Sequence, residues 1–146
     1  MADVKKVVDF DSKDDLKAFS DEVLKLSRTI PLSANELAKI TSDGGRLGIA
    51  KKNLIGFTEL VAKMGTAFEV SSDEAGKSIA GLMNIYKLDL NGVERLGDAM
   101  NYLDNTMNTS VPKIMQALTD VGATGKLLNF DAIATTNLAG TLTSLN

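Results

Sequence analysis

The sequence predicts an all-α protein, a compact antiparallel bundle of about six to seven short capped helices. Three observations predict it. Apolar residues recur three and four apart along nearly the whole chain, which places them on one face of a helix. Polar caps and glycines punctuate these stretches, giving candidate helix starts at about 33, 50, 71, 91, 110 and 129. No segment sustains the period-two alternation of a half-buried strand.

The N-terminus, MADVKKVVDFDSKDD, has lysines but no apolar core of 7–15 residues, so it does not read as a secretory signal. A first helix over 11–30 follows from Leu16, Phe19, Val23, Leu26 and Ile30, with the acids of Asp9–Asp15 at its start, where the macrodipole favours them. That acidic stretch fails as a calcium loop. Lys13 stands where an oxygen ligand is needed, Asp14 replaces the turn glycine, and Ser20 replaces the bidentate glutamate.

The second helix opens on Ser33-Ala34-Asn35-Glu36, where the serine can accept from an orphan N–H and the glutamate can reach back to the cap. Gly44-Gly45 reads as its stop. The third carries Leu54, Phe57, Val61, Met64 and Phe68. Capping boxes at Ser71-Ser72-Asp73-Glu74 and Asn91-Gly92-Val93-Glu94 open the fourth and fifth, whose stripes are Ala75, Ile79, Leu82, Tyr86 and then Val93, Leu96, Met100, Leu103. Leu32, Val70 and Leu90 precede the three boxes as staple residues. Ser110 caps the sixth, with Pro112 in the first turn, where its missing N–H costs nothing, and Val111, Ile114, Leu118 and Val121 on its face. Gly122 and the vicinity of Gly125 read as its stop. A weaker stripe of Phe130, Ile133, Leu138, Leu142 and Leu145 marks a last helix over 127–146, which reaches Asn146 without a glycine or proline stop, as a truncated helix would.

Regular spacing of this kind also suits a solenoid, but the units share caps and period rather than side chains at fixed offsets. An antiparallel bundle with short loops gives the same signal. Gly56, Gly65, Gly76, Gly81 and Gly97 fall inside helical patterns, where each costs about 1 kcal/mol against alanine. Close helix approach offsets that cost, and helices built to rearrange are the alternative.

Composition narrows the chemistry. At 146 residues the chain suits one domain, 1–146, able to bury a core. Cysteine and histidine are absent, which removes the thiol nucleophile, the usual general base and the usual metal ligands. The net charge of −3 argues against a dedicated nucleic-acid binder. No uncharged apolar run approaches the ~20 residues of a membrane span.

Several motifs come close. Gly122-Ala123-Thr124-Gly125-Lys126 has the sound of a phosphate loop, yet Asp120 replaces the upstream glycine, Leu127 follows the lysine, and a helix precedes it. Ser110-Val111-Pro112-Lys113 matches a serine–lysine tetrad without its companion motifs, so Ser110 reads as a cap. Glu59, Glu69, Asp73, Glu74, Glu94 and Asp98 invite a carboxylate-pair reading, and Glu94 and Asp98 do share a helix face. Arg95 marks that face as solvated, whereas acid catalysis needs a pocket that raises one pKa. A helix-turn-helix regulator over 36–64 is the alternative with most merit. It would place Glu36-Leu37-Ala38-Lys39 before a Gly44-Gly45 break and use Lys51, Lys52 and Asn53 as readers. Its connection, DGGRLGI, is long for a three- or four-residue turn.

A longer match carries more. LSANELAKI at 32–40, GRLGIAKKNLIGFTELVAKMGTAF at 45–68, SSDEAGKSIAGLMNIYKL at 71–88 and NGVERLGDAMNYLDN at 91–105 follow one another in order. The region 32–125 resembles the core domain of bacteriophage tail tape-measure proteins. That resemblance implies a non-enzymatic virion structural module, acting in tail assembly and length determination, located in the phage tail and assembled in the bacterial cytoplasm from a phage or prophage gene. The implied partners are other copies of the chain and tail tube or tail assembly chaperone proteins, with no small-molecule substrate. Such proteins are long helical rods inside the tail tube. A single continuous helix of this length would run ~220 Å, but the repeated caps divide this chain into short helices, so it reads as a folded module rather than as the ruler. No catalytic, cofactor-binding or metal-ligating residue is assigned, and no cofactor is expected.

Overall fold

The computed structural model describes residues 1–127 and 131–145. Within them the chain is an all-α bundle, with no strand among the described residues. A short 3-10 turn, Val4–Lys6, precedes α1 (Lys13–Leu26), α2 (Ala34–Arg46), α3 (Lys51–Ala67), α4 (Ser72–Tyr86), α5 (Leu90–Thr106), α6 (Val111–Leu127) and α7 (Ala132–Ser144). Two compact units form, Met1–Ala80 and Gly81–Asn146, and the division falls inside α4.

In the first unit α2 packs along α3, with α1 against both. Its core is Val4, Val23, Leu37, Ile40, Leu54, Phe57 and Val61, all essentially inaccessible. Phe57 lies over Gly44, where a Cβ would come within 2.7 Å of the ring. Beside it the Thr41 and Thr58 hydroxyls meet at 2.8 Å, each also within 2.8 Å of its own helix carbonyl, Leu37 O or Leu54 O. Each hydroxyl offers one proton and two lone pairs, so the pair is satisfied without water.

In the second unit α7 packs on α5 and α6, which also touch each other. Val93, Leu96, Met100, Leu103, Ile114 and Leu118 fill the interior. From α7 the buried contribution is small residues: Ala132, Thr135, Thr136, Ala139 and Gly140. Gly140 admits the Leu103 side chain so closely that a Cβ would sit 2.7 Å from it.

Two of the four predicted caps form, those of Ser33 and Ser71. Ser33 and Glu36 make the full capping box, Ser33 Oγ accepting from the Glu36 N–H at 3.3 Å and Glu36 accepting from the Ser33 N–H at 2.9 Å. Ser71 accepts from the Glu74 N–H. Two starts differ from expectation. Asp89, not Asn91, caps α5 by accepting from the Gly92 N–H at 2.8 Å. Asp131 caps α7 through the Ala134 N–H at 2.7 Å, a little beyond the start expected near 129. Aspartate caps as well as asparagine does, and in each case the aspartate comes directly before the helix.

The stops differ more. The 11–30 segment is α-helical over Lys13–Leu26 and then tightens into i→i+3 turns, Arg28 donating to Lys25 O and Thr29 to Leu26 O. Helix α2 runs through Gly44-Gly45 and ends at Arg46, with Leu47 as its C-cap. Gly48, at φ +86°, then forms the left-handed turn, with Ile49 donating to Gly44 O and Gly48 to Gly45 O. The same closure ends α3 at Glu69 (φ 56°) and α4 at Lys87 (φ 54°), with Val70 donating to Gly65 O and Leu88 to Met83 O. Helix α6 likewise continues past Gly122 and Gly125 to Leu127.

The apolar stripes of α3 to α6 are buried apart from their last members, Phe68, Tyr86 and Val121, which are half-buried. The stripe of the last helix is overturned. Ile133, Leu138, Leu142 and Leu145 are exposed, because α5 and α6 approach α7 over its alanine, threonine and glycine face. Phe130 and Asn146, also part of that expectation, lie outside the described residues.

Candidate functional site

The segment 36–64 places its would-be readers unevenly. Helix α3 starts without a side-chain cap, and Lys51 at its first turn faces the start of α1. Its ammonium donates to Asp15 at 2.8 Å and to Asp11 at 3.2 Å, and stands 5.7 Å from the centre of the Phe10 ring. Ser12 caps α1 through the Asp15 N–H, and the Asp11 N–H donates to Asp15 Oδ2, so the clamp is built on a helix N-terminus that already favours negative charge. The Lys51 hydrogen bond holds the Asp15 carboxyl below the usual carboxylate range, with the Asp11 N–H assisting, and Asp15 in turn raises Lys51. Lys52 and Asn53 are exposed, Leu54 is core, and Glu36 is engaged in its capping box. The connection from α2 to α3, Leu47 to Ala50, is shorter than the sequence suggested, because α2 absorbs the two glycines.

A second cluster lines a cavity of about 510 Å³ beside α2 and α4, with Asp3, Lys39, Ser42, Asp43, Arg46 and Asp73 in its wall. Asp73 accepts from Lys77 at 2.9 Å and pairs with Lys39 at 3.1 Å. Both lower its pKa, Lys77 first. Asp43 is buried, with one oxygen 3.7 Å from the Arg46 guanidinium. Its other oxygen and the Ser42 hydroxyl have no hydrogen-bond partner among the described residues. Gly76 lets α4 pass within van der Waals distance of Asp43 and Ile40. Carboxylates held ionised by lysines are weak bases, so Asp15 and Asp73 tie helices together rather than move protons.

The other candidates separate. Glu94 and Asp98 are exposed on α5, and Glu59 bonds Lys63 at 2.6 Å. Ser110 directly precedes α6, accepting the Ile114 N–H through its carbonyl, and Lys113 is exposed. Gly122 and Gly125 lie inside α6, packed on Tyr86 and Thr135, so the phosphate-loop resemblance falls on helix. The side chains of Ala123 and Lys126 lie outside the described residues. Among the described residues, no group of three or more acids could hold a metal ion. Among the described residues no helix is long and apolar enough to cross a membrane.

Helix α7 carries a further surface feature. Leu138, Leu142 and Leu145 are 42%, 51% and 78% exposed, while Thr135, Thr136 and Ala139 are inaccessible. Threonine hydroxyls can be buried here because each donates to its own helix, Thr135 to Asp131 O and Thr136 to Ala132 O. Sequence periodicity cannot see that. It assigns leucine to the interior, and only the close fit of Leu103 on Gly140 reveals which face α7 turns inward.

Comparison with known proteins adds the context that geometry lacks. A family described as phage-related minor tail protein matches residues 20–146. The chain is 29% identical over 136 residues to a probable tape measure protein of Halomonas phage phiHAP-1, an alignment covering 84% of this chain and 16% of that protein. The chain thus spans about a sixth of the relative's length. No solved structure matches.

Proposed function

From the chain's membership of the phage-related minor tail protein family, and so from a structural role in the phage tail, we propose that it is a folded, non-enzymatic module of a tape-measure protein. It acts in tail assembly by packing against copies of itself and against tail tube or tail assembly chaperone proteins. Assembly takes place in the bacterial cytoplasm, and the module contributes to length determination through the longer protein that carries it. The observation that carries this reading is the family match over residues 20–146, a stretch that takes in α2 to α7 entire. The division of the described residues into seven short helices supports a module rather than a ruler, since a ruler requires an uninterrupted rod.

The helix-turn-helix alternative is disfavoured by Lys51. A reader lysine must face phosphate or base, and this one is held by two aspartates of its own chain.

An in-frame deletion of residues 48–103 from the parent gene tests the module. It removes α3, α4 and most of α5. Their partners are left with exposed apolar faces, so functional tails should fail to form. Infectious tails shortened in proportion to the residues lost would show instead that the segment is part of the ruler.

A further inference from the structure

We propose that the cavity beside α2 and α4 in the first unit binds a small zwitterion, a free α-amino acid. Asp43 and Ser42 take its ammonium group and Arg46 takes its carboxylate. This goes beyond the tail role and does not depend on it.

Two polar side chains without partners point to a ligand. Ser42 and Asp43 are 3% and 4% exposed, and both line the cavity. The Ser42 hydroxyl and Asp43 Oδ2 have no hydrogen-bond partner among the described residues. A buried carboxylate is costly unless its oxygens are satisfied, and it can only accept, so whatever completes it must bring N–H or O–H groups. Arg46 does not supply them. At 3.7 Å its contact with Asp43 is an ion pair longer than a hydrogen bond, and its side chain is exposed. One turn of α2 thus carries a carboxylate short of donors beside a guanidinium whose fork of donors is open.

The neighbouring charges are already matched. Lys39 and Lys77 share Asp73, and Lys6 holds Asp3. Across the wall Asp3, Asp43 and Asp73 balance Lys39, Arg46 and Lys77, so the cavity favours neither a net cation nor a net anion. Among the described residues no group of three acids could hold a metal ion, which leaves N–H groups as the fitting partner for Asp43. An α-amino acid carries both complements on one carbon. Its ammonium has three donors for Asp43 and Ser42, and its planar carboxylate matches the guanidinium fork. Rotation about the Asp43 Cβ–Cγ bond, a soft torsion, presents either oxygen to the cavity. The volume of about 510 Å³ lies in the range of small-molecule sites, and Val4 and Ala38 in the wall offer an aliphatic side chain apolar contact.

The test is a titration of the whole chain followed by nitrogen–proton correlation NMR, at constant ionic strength and near-neutral pH. The probes are L-alanine, L-lactate, which has a hydroxyl in place of the ammonium, and isopropylamine, which has a methyl in place of the carboxylate. L-alanine should produce saturable shifts at the Ser42, Asp43 and Gly76 amides between about 0.1 and about 50 mM, and the other two should bind at least about tenfold more weakly. Arg46→Gln, a change at an exposed side chain, should keep its helicity and lose the response to L-alanine. No saturable shift with L-alanine would overturn the proposal. So would lactate or isopropylamine binding as tightly as L-alanine, which would make this a site for a single charge, and so would an Arg46→Gln chain that binds as wild type does. The three-probe comparison uses the wild-type chain and decides the matter even if the variant fails to fold. None of these outcomes touches the tail role, which the deletion phage tests separately.

Discussion

At the scale of single residues, glycine is where sequence and structure part most often. Read from sequence, Gly44-Gly45, Gly122 and Gly125 look like helix stops, and Gly65, Gly76 and Gly81 look like interior notches. Gly44 and Gly45 are in fact notches, taking Phe57 and the Val7–Val8 pair, and Gly122 and Gly125 take Tyr86 and Thr135. Gly65 meets the Val70 carbonyl, whereas Gly81 faces nothing within 4 Å. Two of the three left-handed stops carry side chains, Glu69 and Lys87, which no glycine count could find. Gly44→Ala should destabilise by about 1–3 kcal/mol, because a stiff ring 2.7 Å from the new methyl must move within a packed core. Gly81→Ala should stabilise by roughly 0.5–1 kcal/mol, since a helix interior gains a better helix former and nothing is displaced. Chemical denaturation of both variants checks the pair, and a loss at Gly81 would reveal a contact absent from this arrangement.

At the scale of elements, the existence and order of the helices were legible because caps and three-four periodicity agree along most of the chain. The stripes of α3 to α6 were legible too, since only one face of each is apolar. Helix α7 was not. Its leucines, threonines and alanines spread around the axis, so periodicity gave no clear inward face, and burial went to the residues small enough for close approach. The Lys51 clamp was invisible for another reason: its aspartates lie 36 and 40 residues away in sequence. Position along a stripe also matters. Phe57 is wholly buried in mid-helix, while Phe68 is half-buried at the end of α3. Phe57→Ala should therefore cost ~3–5 kcal/mol through lost transfer energy and a cavity. Phe68→Ala should cost clearly less, and equal losses in urea titrations would mean that the end of α3 is as tightly packed as its middle.

At the scale of the whole molecule, charge and cooperativity each lead to an outcome. Asp15, Glu36 and Asp73 have folded-state pKa values lowered respectively by the Lys51 ammonium, the Ser33 hydroxyl and the Lys77 ammonium. A depressed acid adds stability above its unfolded value, and that stability is lost as pH falls through the folded value. Melting temperature should thus be flat near neutrality and decline below about pH 4. Lys51 and Lys77 are raised, so their contribution is present below the unfolded lysine value and disappears as pH rises through the folded one, in the alkaline range. Substituting Asp15→Asn and Asp73→Asn should flatten the acid limb, and an unchanged limb would assign acid unfolding to other groups. Cooperativity turns on α4. Its buried residues Ala75, Ile79 and Ala80 belong to the first unit, and the buried Leu82 and Met83 belong to the second. Melting either unit releases one end of a helix whose hydrogen bonds the other end needs, so calorimetry should find one transition, with equal calorimetric and van't Hoff enthalpies, as expected of a single domain over 1–146. Proline at the division supplies the converse. Gly81→Pro removes an N–H and places a ring against the Lys77 carbonyl, breaking α4 between the two sets of core residues. The single transition should then split in two. One transition that merely shifts to lower temperature would show that the units are coupled by something other than this helix.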